Sequence, residues 1–302
     1  MTLDINNNSS YHNFVKNHNI NAQLKKVVIM TLNNSQSKKN ICLITGASAG
    51  IGKAIAIVYA EMGWDLILTA RRTKPMTELA EELERKYGTI SHIFEVDFFE
   101  KSATQKLFKN IKAKNLKVSG LINNAGYGHP GVFLDSGWKD HEKFIQLMMT
   151  APCELVRMLA PEMVDNEFGR IINVASLAGH MPGSKGHTLY AGVKSFLIKF
   201  SESLNAELSG SGVNVSALCP GFTLTEFHDV NGTREGINKL PSFMLMDADT
   251  CARLGVKACE NNHAVYVSGK VNKFISVLGR VLPNKLAQKL MSKNSQRYRK
   301  IN

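Results

Sequence analysis

The sequence lacks any apolar run of about 18 residues, the shortest that spans a bilayer as a helix, so no transmembrane helix is expected. Cysteine is scarce: Cys42, Cys153, Cys219, Cys251 and Cys259 are scattered, with no CxxC pair. That set excludes zinc-ligand spacing, argues against a disulfide framework, and fits a reducing, cytoplasmic setting. The N-terminus has no apolar core followed by a small-residue cleavage site, so no secretory signal is expected. Acids are missing from the C-terminal end. Residues 261–302 hold nine Lys and Arg and no Asp or Glu.

What is present is ordinary globular composition, 44% hydrophobic and 21% charged over 302 residues. That excludes global disorder and collagen, and the length allows a sizeable core. The formal charge of +12 suggests a nucleic acid or a membrane, but it is unevenly placed: +4 over 1–40, −1 over 41–260 and +9 over 261–302. The body is neutral and the ends are basic. Residues 1–40 contain ten Asn and little periodicity, and read as a disordered extension. Met30 precedes a second segment that resembles an ordinary start, so translation from Met30 is a further expectation.

From residue 41, apolar runs at 41–45, 65–69, 90–96, 118–123, 170–175 and 213–219 alternate with helical patterns near 52–62, 75–87, 101–113, 138–165, 188–208 and 247–260. Such alternation implies a parallel sheet with helices on both faces. The expected fold is α/β: a single doubly wound (Rossmann) domain over 41–270 with a seven-stranded parallel sheet. Its ligand crevice would lie at the carboxyl ends of the strands.

Thr45-Gly46-Ala47-Ser48-Ala49-Gly50-Ile51-Gly52 follows the first strand and opens the first helix. Gly46 allows a tight turn, Gly50 a close backbone approach to a pyrophosphate, and Gly52 close helix–strand packing. The helix N-terminus adds amide donors and a favourable dipole. A Gly-rich turn alone often serves only a turn; the strand–turn–helix context is what points to a nucleotide. At the end of the second strand an acid would bind a ribose 2′-hydroxyl, whereas Arg would bind a 2′-phosphate. This chain reads Leu68-Thr69-Ala70-Arg71-Arg72 there, without an acid. Arg71 and Arg72 either solvate a loop or select NADP(H), and guanidinium–phosphate geometry favours the second.

Tyr190 and Lys194 are four residues apart in a helical stretch and share a face. Ser176 follows the strand 170–175. A free Tyr, with a pKa near ~10, exchanges protons poorly at neutrality; a nearby ammonium favours its phenolate. Ser176 could hold a substrate oxygen beside Tyr190. Read without context, Tyr and Lys at this spacing are a common surface pair.

Taken together, the Gly-rich turn, Asn123-Asn124-Ala125-Gly126, Ser176, Tyr190-x-x-x-Lys194 and Pro220-Gly221 with Thr223 and Thr225 resemble, in order and spacing, the short-chain dehydrogenase/reductases. The segment 70–72 and the run 138–165 look like the branch with long-chain 3-oxoacyl reductases and hydroxysteroid dehydrogenases. The resemblance covers about residues 41–270. It implies NADP(H) as cofactor, bound by Gly46, Ser48, Gly50, Ile51, Gly52, Arg71, Arg72, Asp97, Asn123, Ala125, Gly126, Tyr190, Lys194, Pro220, Gly221, Thr223 and Thr225. Tyr190 would be general acid in reduction and base in oxidation. Lys194 would bind the nicotinamide ribose, and Ser176 would orient the carbonyl or alcohol. Asp97 would contact the adenine side; Asn123, Ala125 and Gly126 would line the cleft.

One departure stands out. The family usually has an Asn in the long helix that holds a proton-relay water, and here Met148 occupies that position. Met cannot supply a carboxamide's donors and acceptor. The alternatives are a working, slower enzyme or a catalytically weak NADP-binding interaction protein.

Residues 222–246 form a long segment with Phe222, Phe227, Phe243, Met244 and Met246. Long segments beside a cleft often act as lids. This one suggests a small apolar substrate such as a ketone, acyl thioester or steroid-like alcohol, although the same residues could simply pack a core. The segment 271–302 is basic and amphipathic. It either lies on an anionic membrane surface or packs on the domain or on a second copy in a homo-oligomer. No nucleic-acid module and no metal site is recognisable.

Overall fold

β1 (Ile41–Thr45) is buried along its whole length. This explains its uninterrupted apolar run: a central parallel strand has no solvent face and therefore no polar alternation. The computed structural model describes residues 39–128, 132–183, 186, 188–226, 234–237 and 240–283. The expected N-terminal extension, Phe227 and the tail after 283 lie outside the described residues.

After β1 come α1 (Gly50–Glu61), β2 (Asp65–Ala70), α2 (Thr73–Tyr87), β3 (Ser91–Glu95), α3 (Ala103–Ala113) and β4 (Val118–Asn123). The second half has α4 (Trp138–Ile145), α5 (Ala151–Asp165), β5 (Gly169–Val174), α6 (Thr188–Glu207) and β6 (Val213–Cys219). It continues with β7 (Phe222–Leu224), α7 (Arg234–Ile237), β8 (Leu245–Asp247), α8 (Ala248–Glu260), β9 (Val265–Val267) and α9 (Lys270–Val281). The main sheet has seven strands in the order β3-β2-β1-β4-β5-β6-β9, and its pairings are parallel. The order reverses between β1 and β4, which opens a crevice at their carboxyl ends.

Helices α1, α2 and α8 cover one face through Ile55, Tyr59, Met76, Leu79, Leu83 and Val256. Helices α3, α5 and α6 cover the other, where Leu107, Ile111, Leu155 and Leu159 are buried and Phe200 and Leu204 pack against them. Helix α2 shows how the pattern works locally: Met76, Leu79 and Leu83 make one apolar stripe, and Gly88 ends the helix in the left-handed region.

Three details go beyond the sequence pattern. β9 is only three residues long and completes the sheet beside β6, a length at which apolar alternation carries little signal. The segment 222–246 contains a small parallel pair, β7 with β8. The helical run 138–165 is interrupted by a π-turn at Gln146–Thr150, where Ala151 N–H bonds the Gln146 carbonyl five residues back. Pro152 has no N–H for the carbonyl of Met148, four residues before it, so the α-ladder breaks at this place.

Candidate active site

The Gly-rich turn is built as its spacing implies. Gly46 (φ 67°) and Gly50 (φ 57°) take left-handed conformations that side chains resist. A Cβ on Gly52 would stand 2.4 Å from the Gly46 carbonyl oxygen and from Asn124 Nδ2. Asn124 Nδ2 donates to the carbonyls of Thr45 (2.9 Å) and Gly46 (3.2 Å). Thr45 Oγ1 accepts from the N–H groups of Asn124 (2.9 Å) and Ala125 (3.0 Å). The end of β4 therefore holds the turn in shape. No side chain caps α1, so its first turn keeps amide donors suited to a pyrophosphate. Ile51 packs onto the core beneath, and Thr225, from the loop after β6, lies against Gly50, where a Cβ would come within 3.2 Å.

Both arginines after β2 are exposed beside this turn. Arg72 Nη2 donates to Glu226 Oε2 (2.8 Å) and to Ser48 Oγ (3.4 Å). The Arg71 guanidinium sits 5.4 Å from the centre of the Phe99 ring. Asp97 is exposed, and its Oδ1 accepts from Phe99 N–H (3.0 Å).

Lys194 lies in α6 and is 5% exposed. Its Nζ donates to the Val174 carbonyl (2.7 Å) and stands 5.7 Å from the centre of the Tyr190 ring. Burial pushes the Lys194 ammonium down to about 8, because the charged form loses its hydration. Ser176 begins a 3-10 turn, Leu177–His180, with its Oγ accepting from Ala178 N–H (3.1 Å), which leaves the hydroxyl proton to donate. The turn lies directly on α6: a Cβ on Gly179 would come within 2.7 Å of the Lys194 carbonyl carbon. The structure thus sets the turn that begins at Ser176 against the helix that carries Tyr190 and Lys194.

A buried polar chain ties this wall to the sheet. Asn123 Nδ2 donates to Asn173 Oδ1 (2.8 Å), Asn173 Nδ2 to Ser201 Oγ (2.9 Å), and Ser201 Oγ to the Leu197 carbonyl (2.7 Å). Asn123 and Asn173 are register partners on β4 and β5. The Asn123 carboxamide, expected at the cleft, is thus committed to an internal network. Ala125 and Gly126 follow it at the end of β4.

The loop after β6 completes the site. The Pro220 carbonyl accepts from Leu177 N–H (2.8 Å), joining the loop to the Ser176 turn. A Cβ on Gly221 would lie 2.3 Å from Asn272 Nδ2 of α9. Thr223 Oγ1 donates to the Gly221 carbonyl (3.4 Å), and Thr225 Oγ1 to that of Thr223 (3.4 Å). Met148 is 2% exposed and packs with Phe144 and Val193, against Tyr127, Leu189 and Tyr190.

Sequence reasoning missed several supporting residues. Thr45 and Asn124 stand inside the Gly-rich and Asn-Asn-Ala-Gly motifs, but their role as clamps exists only in the fold. Gly179 and Asn173 carry no local signal, because each matters only through a partner on another element. No group of His, Cys, Asp or Glu that could hold a metal occurs among the described residues.

Residues 40–235 match the family model described as short chain dehydrogenase. Sulfoacetaldehyde reductase 2 of Chromohalobacter salexigens is 34% identical over 190 residues, 62% of this chain and 74% of that protein. The 3-oxoacyl-acyl-carrier-protein reductase FabG of Aquifex aeolicus is 32% identical over 186 residues, 62% of this chain and 75% of that protein. Among solved structures, a short-chain dehydrogenase from Sphingobium yanoikuyae in complex with NADPH superposes with a TM-score of 0.71 at 29% identity. It covers 80% of this chain and 93% of that one.

Proposed function

The chain belongs to the short-chain dehydrogenase family, and on that premise we propose that it is an NADP(H)-dependent oxidoreductase acting on the carbonyl or secondary alcohol of an apolar substrate. The observation that carries this reading is the buried Lys194, with Nζ 5.7 Å from the Tyr190 ring and its backbone against the turn that begins at Ser176. A surface Tyr–Lys pair would have neither the burial nor the serine turn.

The residues at the crevice fit a dinucleotide: left-handed glycines, an uncapped helix N-terminus and two arginines where a 2′-phosphate would lie. When bound, the nicotinamide supplies or accepts the hydride. Tyr190 delivers a proton to the carbonyl oxygen in reduction and removes one from the alcohol in oxidation. Ser176 donates a hydrogen bond from its hydroxyl to the same oxygen, keeping its proton, and fixes that oxygen's position. Lys194 holds the ribose hydroxyls and keeps a cation beside the phenol. Arg71 and Arg72 select the phosphorylated cofactor. The aromatic and Met content of the 222–246 sequence, Phe243 aside, supports an apolar substrate.

The test is NADPH oxidation against a panel of apolar ketones and acyl thioesters, run beside NADH. Turnover with NADPH preferred is expected. Tight cofactor binding with no turnover on a broad panel would favour a weakly catalytic binding protein instead, the reading that Met148 at the relay position motivates.

A further inference from the structure

Helix α9 is packed inside out. Its buried positions are polar: Asn272 and Ser276 are each 6% exposed, with Asn272 Nδ2 donating to the Ser268 carbonyl (2.7 Å) and Ser276 Oγ to that of Lys273 (2.7 Å). Its outward positions are apolar: Phe274 is 68% exposed, Val277 57% and Val281 70%, with Leu278 beside them. These four recur at i, i+3, i+4 and i+7, so they form one stripe. Phe243, 68% exposed, stands on the turn Ser242–Met244, which neighbours α9. Globular helices bury such a stripe; one facing outward beside exposed Lys270 and Lys273 is the pattern of a helix lying in a lipid interface.

We propose that the α9 stripe docks onto an anionic lipid bilayer, with the helix in the membrane plane. Charge complementarity selects this occupant: residues 261–302 carry nine basic and no acidic residues. A second copy seated on this stripe would bring the exposed Lys270 and Lys273 of both copies to one seam. No helix among the described residues is long and apolar enough to cross a membrane, so the contact is peripheral.

The inner side of α9 gives the docking a direction. Asn272 presses on Gly221 of the loop after β6, and Gly279 meets Met181 just after the Ser176 turn. The bilayer-facing helix thus backs two walls of the proposed active site. The proposal stands without the reductase reading, and a failure of either leaves the other intact.

The experiment is flotation of the full-length protein with vesicles of pure phosphatidylcholine and of phosphatidylcholine containing phosphatidylglycerol. Phe274→Ser/Val281→Ser and Lys270→Glu variants are run alongside, with thermal melts and light-scattering mass for each. Expected is binding to the anionic vesicles that weakens with salt. The double variant should lower binding about tenfold and Lys270→Glu, a change of two charges, about thirtyfold, with melting temperatures unchanged. Absence of flotation, equal binding to both vesicles, or anionic binding that survives the double variant overturns the proposal. A solution dimer that falls apart in the double variant, with no flotation, assigns the stripe to a second copy and overturns it as well.

Discussion

The sulfur of Met148 rests on the bare α-carbon face of Gly126: a Cβ on Gly126 would stand 2.7 Å from Met148 Sδ. Met148, which the family resemblance sets where a relay Asn is expected, is therefore packed into an apolar cluster with Phe144 and Val193, against Tyr190. Met148→Asn should raise turnover and leave NADPH affinity nearly unchanged, while burial of a carboxamide costs about 1–3 kcal/mol of stability. Steady-state rates, cofactor titration and a denaturant melt measure the three quantities. Flat or lower turnover removes the missing relay as the limitation.

Arg72 is shared between Ser48 and Glu226 across the mouth of the proposed phosphate site. Both members of the Arg72–Glu226 pair are more than half exposed, so their contact is worth about 0–1 kcal/mol and a dianionic phosphate displaces it readily. Glu226→Gln should tighten NADPH binding severalfold without affecting NADH. Arg71→Ala and Arg71→Glu should weaken NADPH far more than NADH. Equal losses for both cofactors would remove the NADP assignment.

Tyr190→Phe removes the proton donor and Ser176→Ala the hydroxyl that orients the substrate oxygen, so each should lower kcat about 10²–10⁴-fold, with the NADPH dissociation constant within a few-fold because the other expected cofactor contacts remain. Retained activity in Tyr190→Phe would place the proton donor elsewhere.

Lys194 links stability to pH. Its folded pKa of about 8 lies below the ordinary lysine value, so between the two the unfolded chain holds more protons and stability rises with pH. Below about pH 8 the penalty for the buried charge is fully present; above the unfolded value it is gone. Relative to Lys194→Met, the cofactor-free wild type should gain roughly 2 kcal/mol between pH 7.5 and 9.5. Denaturant titrations at the two pH values read this directly, and a pH-independent difference contradicts it.

Gly179→Ala tests how the wall is held. Its Cβ would meet the Lys194 backbone, which cannot swing aside as a side-chain tip can. The Ser176 turn must then lift from α6, with kcat falling about 10–100-fold. Cofactor affinity should move much less, because the proposed pyrophosphate turn after β1 is untouched. A fully active Gly179→Ala enzyme would show that the turn tolerates displacement.

The layered α/β architecture is legible along the chain, because buried parallel strands are continuous apolar runs and covering helices carry one-sided stripes. The same holds for the Gly-rich turn and the Tyr190–Lys194 spacing, which depend on residues near one another in the chain. What joins distant segments emerges in the folded chain alone: Asn124 clamping Gly46, Asn123 paired with Asn173, Gly179 against Lys194, Glu226 on Arg72. The orientation of α9 belongs to this second group. Its apolar stripe is plain in the sequence, but which side faces inward was decided by Asn272 and Gly279 packing beside the active-site walls. Periodicity places a stripe on a helix; only the neighbours that pack against that helix decide whether the stripe meets the core or the solvent.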